Sequence, residues 1–191
     1  MKSKLLFYLL AIVFLFYSCK SKLPYTTQMK TDLKAMYTVD QQLQILDPIR
    51  EQDEKYRDSM YTALDKLCIE NSKIVEGYFN DYGYPGISLN GKETSLHFWL
   101  IVQHADHDVV FQEKVLRAMR KEYKKDNVQP NYFALLYDRV QKNKNKPQLY
   151  GTQISWETGK PIPYKIKDEK NVNVRRNKMG LETLEEYLKN F

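Results

Sequence analysis

The chain has 191 residues, enough for one domain with a hydrophobic core and few for two. Hydrophobic residues make up 42% and charged residues 28%, a balance that excludes an intrinsically disordered chain. The formal net charge of +6 is spread along the sequence and forms no basic patch, so we predict no nucleic-acid partner.

Residues 1–18 are typical of a signal peptide, with two lysines at the start and then an apolar run over residues 5–17. This run is too short to span a bilayer, which needs roughly twenty residues. Ser18 followed by Cys19 resembles the lipobox of bacterial lipoproteins, in which the cysteine is acylated. We therefore predict an exported protein, anchored to a membrane of the bacterial cell envelope through a lipid on Cys19. The alternative is a secreted or periplasmic protein that is cut nearby.

A polar segment with one proline, residues 19–30, is predicted to tether the lipid to a single domain over residues 31–191. Its first helix starts at about Thr31 and ends near Leu46, before Asp47-Pro48. Pro48 suits the first turn of a second helix, which continues through Cys68 and for a turn or two more. We expect Cys68 to be a small buried hydrophobic residue.

The most apolar part of the predicted domain is the segment Thr94 to Asp108. Before it, Tyr82 to Gly86 and then Asn90-Gly91 are rich in turn-forming residues and predict two turns. Residues 94–102 are apolar on nearly all sides, so we expect a helix that is buried on most of its surface. Asp108 is predicted to cap a following helix from Val109 to about Tyr123.

The remaining predicted elements are a short helix over Asn131 to Gln141, an irregular crossing or short hairpin near residues 148–165, and a terminal helix over about Arg176 to Lys189. Between the first two, residues 142–147 form a basic loop. The fold class is therefore mainly α, a single helical domain of about five to six helices.

The first candidate site is the polar end of the central segment, with Gln103, His104, Asp106, His107 and Asp108. One interpretation is a buried His104 that is bonded to a local carbonyl or carboxylate. A second is a catalytic His104, held as general base by Asp106 or Asp138. A metal site is a third, but no further histidine, cysteine or glutamate motif supports it, and we predict neither a metal nor a cofactor.

Two other segments carry candidate binding residues. In the pair Asp138-Arg139, the arginine is suited to hold a carboxylate or phosphate with two hydrogen bonds, whereas the alternative is two separate salt bridges. In the segment 148–153, Gly151 permits close backbone approach, and Gln148, Tyr150 and Gln153 are predicted to contact a ligand. The alternative is a polar loop held by its own hydrogen bonds.

Three segments in this order, WLIVQHAD (99–106), DRV (138–140) and QLYGTQ (148–153), resemble an uncharacterised bacterial family, a domain of unknown function. The resemblance extends from an Asp40-Gln41 pair, through the turn before the central helix, to Gly180-Leu181 near the end of the chain. It implies no reaction. It does imply that His104, Gln103, Asp106, Arg139 and Gln153 lie in one place.

These observations favour a module that binds an unknown small molecule or protein partner through a polar site around His104 and Gln153. The alternative is a hydrolase-like enzyme with His104 as general base. A second alternative has no site at all, with the polar residues forming a buried network that fixes the packing of the helices.

Overall fold

The computed structural model describes residues 23–45 and 53–191. The predicted signal peptide, Cys19 and the Asp47-Pro48 interruption lie outside these ranges. The described residues form a mainly helical domain, as predicted, and its helices are α1 (Thr27–Leu43), α2 (Glu54–Tyr82), α3 (Ile87–Gln103), α4 (Val109–Tyr123), α5 (Pro130–Asn143), a 3-10 helix (Glu169–Asn171), α6 (Val172–Lys178) and α7 (Leu184–Leu188).

A small antiparallel hairpin lies between α5 and the 3-10 helix, within the segment predicted to be irregular or a hairpin. Its strands are β1 (Ile154–Ser155) and β2 (Ile162–Pro163), with Ile154 opposite Pro163. No helix in the described ranges is both long and apolar enough to cross a membrane.

Local capping explains where several helices begin. The side chains of Thr26, Asp53 and Asp108 each accept a hydrogen bond from the backbone N–H three residues later, at the starts of α1, α2 and α4. The cap by Asp108 and the bounds of α4 confirm the prediction. Helix α1 begins four residues before the predicted Thr31, so residues 27–30, assigned above to the tether, form its first turn.

Two features of the predicted helices differ from the structure. Helix α3 contains the predicted turn at Asn90-Gly91 as a kink, because Gly91 has a φ of 83° inside an otherwise helical run. The single terminal helix predicted over residues 176–189 is wrong. Gly180, with a φ of 66°, ends α6, and a capping box between Thr183 and Glu186 starts α7 as a separate helix.

Helix α3 is the centre of the core, as its nearly continuous apolar sequence predicts. It packs against α1, α2, α4 and α5, and its residues Phe98 and Val102 are fully buried. Phe98 contacts the rings of Tyr25, Phe79 and Tyr84 from three sides. This packing fixes the C-terminal end of α3, where the polar part of the central segment begins.

Candidate functional site

The candidate site is built on the residue that ends α3. His104 is the C-cap, and its imidazole Nδ1 lies 2.8 Å and 3.1 Å from the two carboxylate oxygens of Asp40 in α1. Asp40 is buried, with 1% of its surface exposed. A carboxylate only accepts hydrogen bonds, so Nδ1 donates, and Nε2 is an acceptor in the neutral form of the ring and a donor in the imidazolium.

This partner of His104 differs from the two that the sequence suggested. Neither Asp106 nor Asp138 bonds to the imidazole among the described contacts. The packing of α1 against α3 brings Asp40 to His104 across 64 residues of sequence. Gln41 supports the arrangement by donating from Nε2 to the second oxygen of Asp40 at 3.0 Å.

Asp106 links the loop before α4 to helix α5. Its Oδ1 accepts hydrogen bonds from Arg139 Nε at 2.8 Å, Asn143 Nδ2 at 2.7 Å and Gln112 Nε2 at 3.2 Å. Burial acts to raise the pKa of Asp106, but the hydrogen bond and charge of Arg139, with the bonds from Asn143 and Gln112, outweigh it and hold the pKa below its ordinary value. Asp106 is thus an ionised anchor for Arg139.

Arg139 is held from two sides and borders an open cavity. Besides its bond to Asp106, it donates from Nη1 to Gln153 Oε1 at 3.1 Å. The described residues offer no acceptor for its Nη2, and the side chain is 28% exposed. Arg139 therefore has an ion-pair partner, as one interpretation expected, and still has a free donor, as the other requires.

Asp138 does not belong to this cavity. It is fully buried, and its carboxylate accepts hydrogen bonds from the backbone N–H groups of Leu149, Tyr150 and Thr152 and from the Thr152 hydroxyl. Burial raises the pKa of Asp138 above its ordinary value, although these hydrogen bonds oppose the rise. The carboxylate of Asp138, predicted to assist a catalytic His104, is therefore bonded to residues 149–152 instead and does not line the cavity.

Gln148 and Tyr150 also lie away from the cavity. The fully buried Gln148 amide donates to the carbonyls of Gln153 and Tyr164 and accepts from the N–H of Gln153, which ties the loop to the hairpin. Tyr150 is buried against Tyr137, and burial raises the pKa of its hydroxyl to about 12. The side-chain contacts of Gln148 are those that the alternative, a loop held by its own hydrogen bonds, predicts.

The cavity has a volume of about 380 Å³ and lies between α3, α5, the hairpin and the end of the chain. Such a volume is at the lower end of the range of small-molecule sites, about 300–1,000 Å³. The polar residues along its wall come from all three segments of the sequence motif, and they are Gln103, His104, Arg139, Thr152 and Gln153.

Gln103 is a polar residue at this wall whose buried side-chain oxygen lacks a hydrogen-bond partner among the described residues. It is 6% exposed, and its Oε1 is the buried side-chain oxygen for which the described residues provide no hydrogen-bond donor. An unsatisfied buried acceptor costs roughly 1–3 kcal/mol of folding free energy. Native proteins leave few such groups, so this oxygen is an unused acceptor in a residue that borders the cavity.

The rest of the wall is apolar and largely aromatic. Both tryptophans of the chain border the cavity, one buried at Trp99 and one 52% exposed at Trp156. Phe191 meets Trp156 edge to face with ring centres 6.1 Å apart, and Tyr187 meets Phe191 at 5.1 Å. Tyr187 is fixed by its hydroxyl, which donates to the carbonyl of Thr152 at 2.9 Å.

The described residues do not present an activated nucleophile beside His104. The hydroxyl of Thr152 is directed to Asp138, and burial raises the pKa of the Cys68 thiol to about 11, which keeps it protonated at neutral pH. Cys68 is half-buried on α2, less enclosed than predicted. His107 is exposed and bonds to Ser72, and the described ranges hold no group of three or more potential ligands arranged for a metal ion.

Sequence reasoning missed one side of this site. Asp40 was noted for the family resemblance and not as the partner of His104, and the aromatic wall was not predicted. A signal for part of the wall was present, because Trp156 is a large apolar residue in an otherwise polar, irregular segment. Tyr187 lies in the segment that was predicted as a terminal helix, and its spacing gives no sign that it borders a cavity.

Comparison with known proteins agrees with the resemblance of the motif. No match to the chain is found among curated proteins or among solved structures. A sequence model of DUF6624 matches residues 27–191, which include α1 and every residue of the cavity wall. The chain therefore belongs to DUF6624, a family of unknown function.

Proposed function

We propose that this is an exported, lipid-anchored protein that binds a small molecule or the end of a protein partner in the cavity around His104 and Gln153. The observation that carries this is unused hydrogen-bonding capacity at a single wall. Gln103 Oε1 accepts no hydrogen bond, Arg139 Nη2 donates none, and His104 Nε2 has no partner among the described residues. Convergent polar groups beside an apolar surface are typical of ligand sites.

A purely structural network accounts for only some of the motif. Asp106, Asp138, Gln112 and Gln148 are each held by several hydrogen bonds and fix loops to helices. Their neighbours at the cavity are left with free donors and acceptors. The buried network therefore serves as the scaffold that positions the cavity residues in this proposal.

Screening with intrinsic fluorescence tests binding directly, because both tryptophans border the cavity. A fragment set of carboxylates, phosphates, amines, sugars and neutral aromatics is titrated against the full chain in detergent. We expect a saturable change in emission with at least one class, and its loss in Gln103→Leu or Arg139→Gln. Emission that no class changes would overturn the binding proposal.

The second candidate function is hydrolysis, and the Asp40–His104 pair favours it. Asp40 orients the ring, and Nε2 of the neutral imidazole is free to take a proton from water that attacks a bound ester or amide. Turnover of generic ester or amide substrates that disappears in His104→Gln, while ligand binding is retained, would favour this candidate. Binding without turnover favours the first.

Membrane anchoring is tested by detergent phase partitioning of the protein expressed in bacteria. We expect the wild-type chain in the detergent-rich phase and Cys19→Ser in the aqueous phase or as the unprocessed precursor. Cys68→Ser is the matched control, because it removes the other cysteine of the chain, and it should partition like the wild type. A wild-type chain released into the medium would instead favour the secreted alternative.

A further inference from the structure

We infer that the ligand of this cavity is an N-acylated aromatic amino acid with a free carboxylate, either as a small molecule or as the last residue of a peptide chain. The inference rests on the proposed binding function and names its ligand class. It follows from three properties of the wall: the sign of its charge, the nature of its apolar surface, and its unused acceptors.

The charge of the wall favours an anion. Among the described side chains that line the cavity, Arg139 is the one with a permanent charge, and none is a carboxylate. Asp106, behind the wall, is shared between Arg139 at 2.8 Å and Lys142 at 4.0 Å, so that two cations face one carboxylate. The guanidinium charge and the free Nη2 suit a carboxylate, which accepts charge-assisted hydrogen bonds from arginine. A phosphate dianion calls for more cationic groups than this wall provides.

The apolar surface favours an aromatic ring. Trp156 and Phe191 are each 52% exposed and stand edge to face at the mouth of the cavity. Leu135 and Ile154 continue the apolar wall inward. Aromatic rings gain from edge-to-face contacts in addition to the burial of their surface, so a ligand ring between these side chains would be stabilised by both.

The unused acceptors favour an N–H donor on the ligand. Gln103 Oε1 has no donor among the described residues, and in the neutral tautomer that donates from Nδ1 to Asp40, His104 Nε2 is a second acceptor. An amide N–H next to the carboxylate and the ring supplies such a donor. An N-acyl aromatic amino acid carries all three groups on one carbon atom and its immediate neighbours, which fits a small cavity.

Fluorescence titration of the full chain in detergent tests this with N-acetyl-L-phenylalanine and its uncharged analogue N-acetyl-L-phenylalaninamide. Neither probe contains tryptophan, so the emission reports on Trp99 and Trp156. We expect the acid to bind at least about tenfold more tightly than the amide, because only the acid pairs with Arg139. Arg139→Gln should remove this preference, and Arg117→Gln on the exposed face of α4 should keep it.

Thermal melts show whether each variant folds. This check is needed because Arg139→Gln removes the cation closest to Asp106 and could destabilise the protein. If that variant does not fold, the wild-type preference for acid over amide still decides. A peptide ending in phenylalanine separates the two sources of the ligand. Tighter binding of the peptide than of N-acetyl-L-phenylalanine would identify the ligand as the end of a partner chain. Equal binding would identify it as a small molecule.

Three results would overturn the inference while leaving the proposed function in place. These are equal affinity for acid and amide, tighter binding of phenyl phosphate than of the acid, and binding of another fragment class when neither phenylalanine probe binds. If no probe or fragment alters the emission, both the inference and the proposed function fail.

Discussion

The buried carboxylate of Asp40 lies 2.8 Å from Nδ1 of His104, and this bond joins the first described helix to the end of the central one. It gives the imidazole one orientation and leaves its second nitrogen at the cavity. The pair is equally suited to orienting a general base and to fixing an acceptor for a ligand, so its contribution to stability has to be separated from any function.

A double-mutant cycle on Asp40→Ala and His104→Ala measures that contribution. Removal of His104 leaves a buried carboxylate with Gln41 as its remaining side-chain partner, so we expect a loss of roughly 1–3 kcal/mol in unfolding free energy. The coupling energy should be about 0.5–3 kcal/mol. Urea denaturation is the measurement, and Asp81→Ala, an exposed carboxylate on α2, is the control. Additive effects of the two changes would show that the bond does not stabilise the fold.

Two buried glutamines should respond in opposite ways to replacement by leucine, which has a similar volume. Gln112 donates to two carbonyls and to Asp106 and accepts from Asn143. Gln112→Leu leaves these groups without that partner, so it should lower the unfolding free energy by roughly 1–3 kcal/mol. Gln103→Leu removes an acceptor that is already unsatisfied and should change stability by less than about 0.5 kcal/mol or raise it. Thermal melts compare the two. A large loss in Gln103→Leu would mean that this side chain holds the fold together.

Acid should weaken the protein partly through Asp106. Its pKa is lower in the folded chain than the ordinary value near 3.9, so the unfolded chain binds the proton first as pH falls. The stabilisation is therefore present above about pH 4 and lost as pH drops through the lowered pKa. We expect unfolding free energies from urea titrations to fall more steeply between about pH 5 and 3 for the wild type than for Asp106→Asn. Parallel curves would contradict the assigned pKa shift.

Two glycines offer a matched test of backbone conformation. Gly77 lies within α2 with open space around its Cα, so Gly77→Ala should stabilise the protein by about 0.4–1 kcal/mol. Gly180 also has open space but a φ of 66°, so Gly180→Ala should destabilise by about 1–2 kcal/mol through strain alone. The melting temperatures should move in opposite directions. A rise in both would mean that the chain around residue 180 can rejoin α6 and α7 into the single helix that the sequence suggested.

Cys68 should react slowly with alkylating reagents. Burial raises its thiol pKa to about 11, so the reactive thiolate is scarce at pH 8 and increases only as pH approaches that value. Iodoacetamide labelling of Cys19→Ser, followed by mass spectrometry, gives the rate, and the same chain in urea gives the unperturbed reference. Equal rates in the folded and unfolded chain would exclude the raised pKa.

The sequence was most informative where the signal is local. The bounds of α4 follow from the cap by Asp108 and the helical spacing that comes after it, and both are set by neighbouring residues. Gly180 and the capping box at Thr183 are also local signals of a break, but the apolar spacing of residues 181–188 favours one continuous helix.

The partners of the site residues depend on packing between distant elements, which spacing does not determine. Asp106 and Asp138 were the predicted partners of His104. Its partner in the structure is Asp40, because α1 packs against α3. Gln148 and Gln153 are five residues apart in one segment, yet one amide is enclosed by backbone and the other reaches Arg139. The roles of Gln148 in the loop and of Gln153 at the cavity are therefore set by the fold of the hairpin and not by the sequence around them.

The cavity wall is assembled from parts of the chain that are made at very different times. Asp40 is synthesised 64 residues before His104, and the carbonyl that anchors Tyr187 belongs to Thr152, 35 residues earlier. Closing such long loops slows folding relative to local helix formation. A chain still emerging from a ribosome thus forms helices before it forms the cavity. A molecule bound in this cavity would therefore stabilise only the completely folded chain.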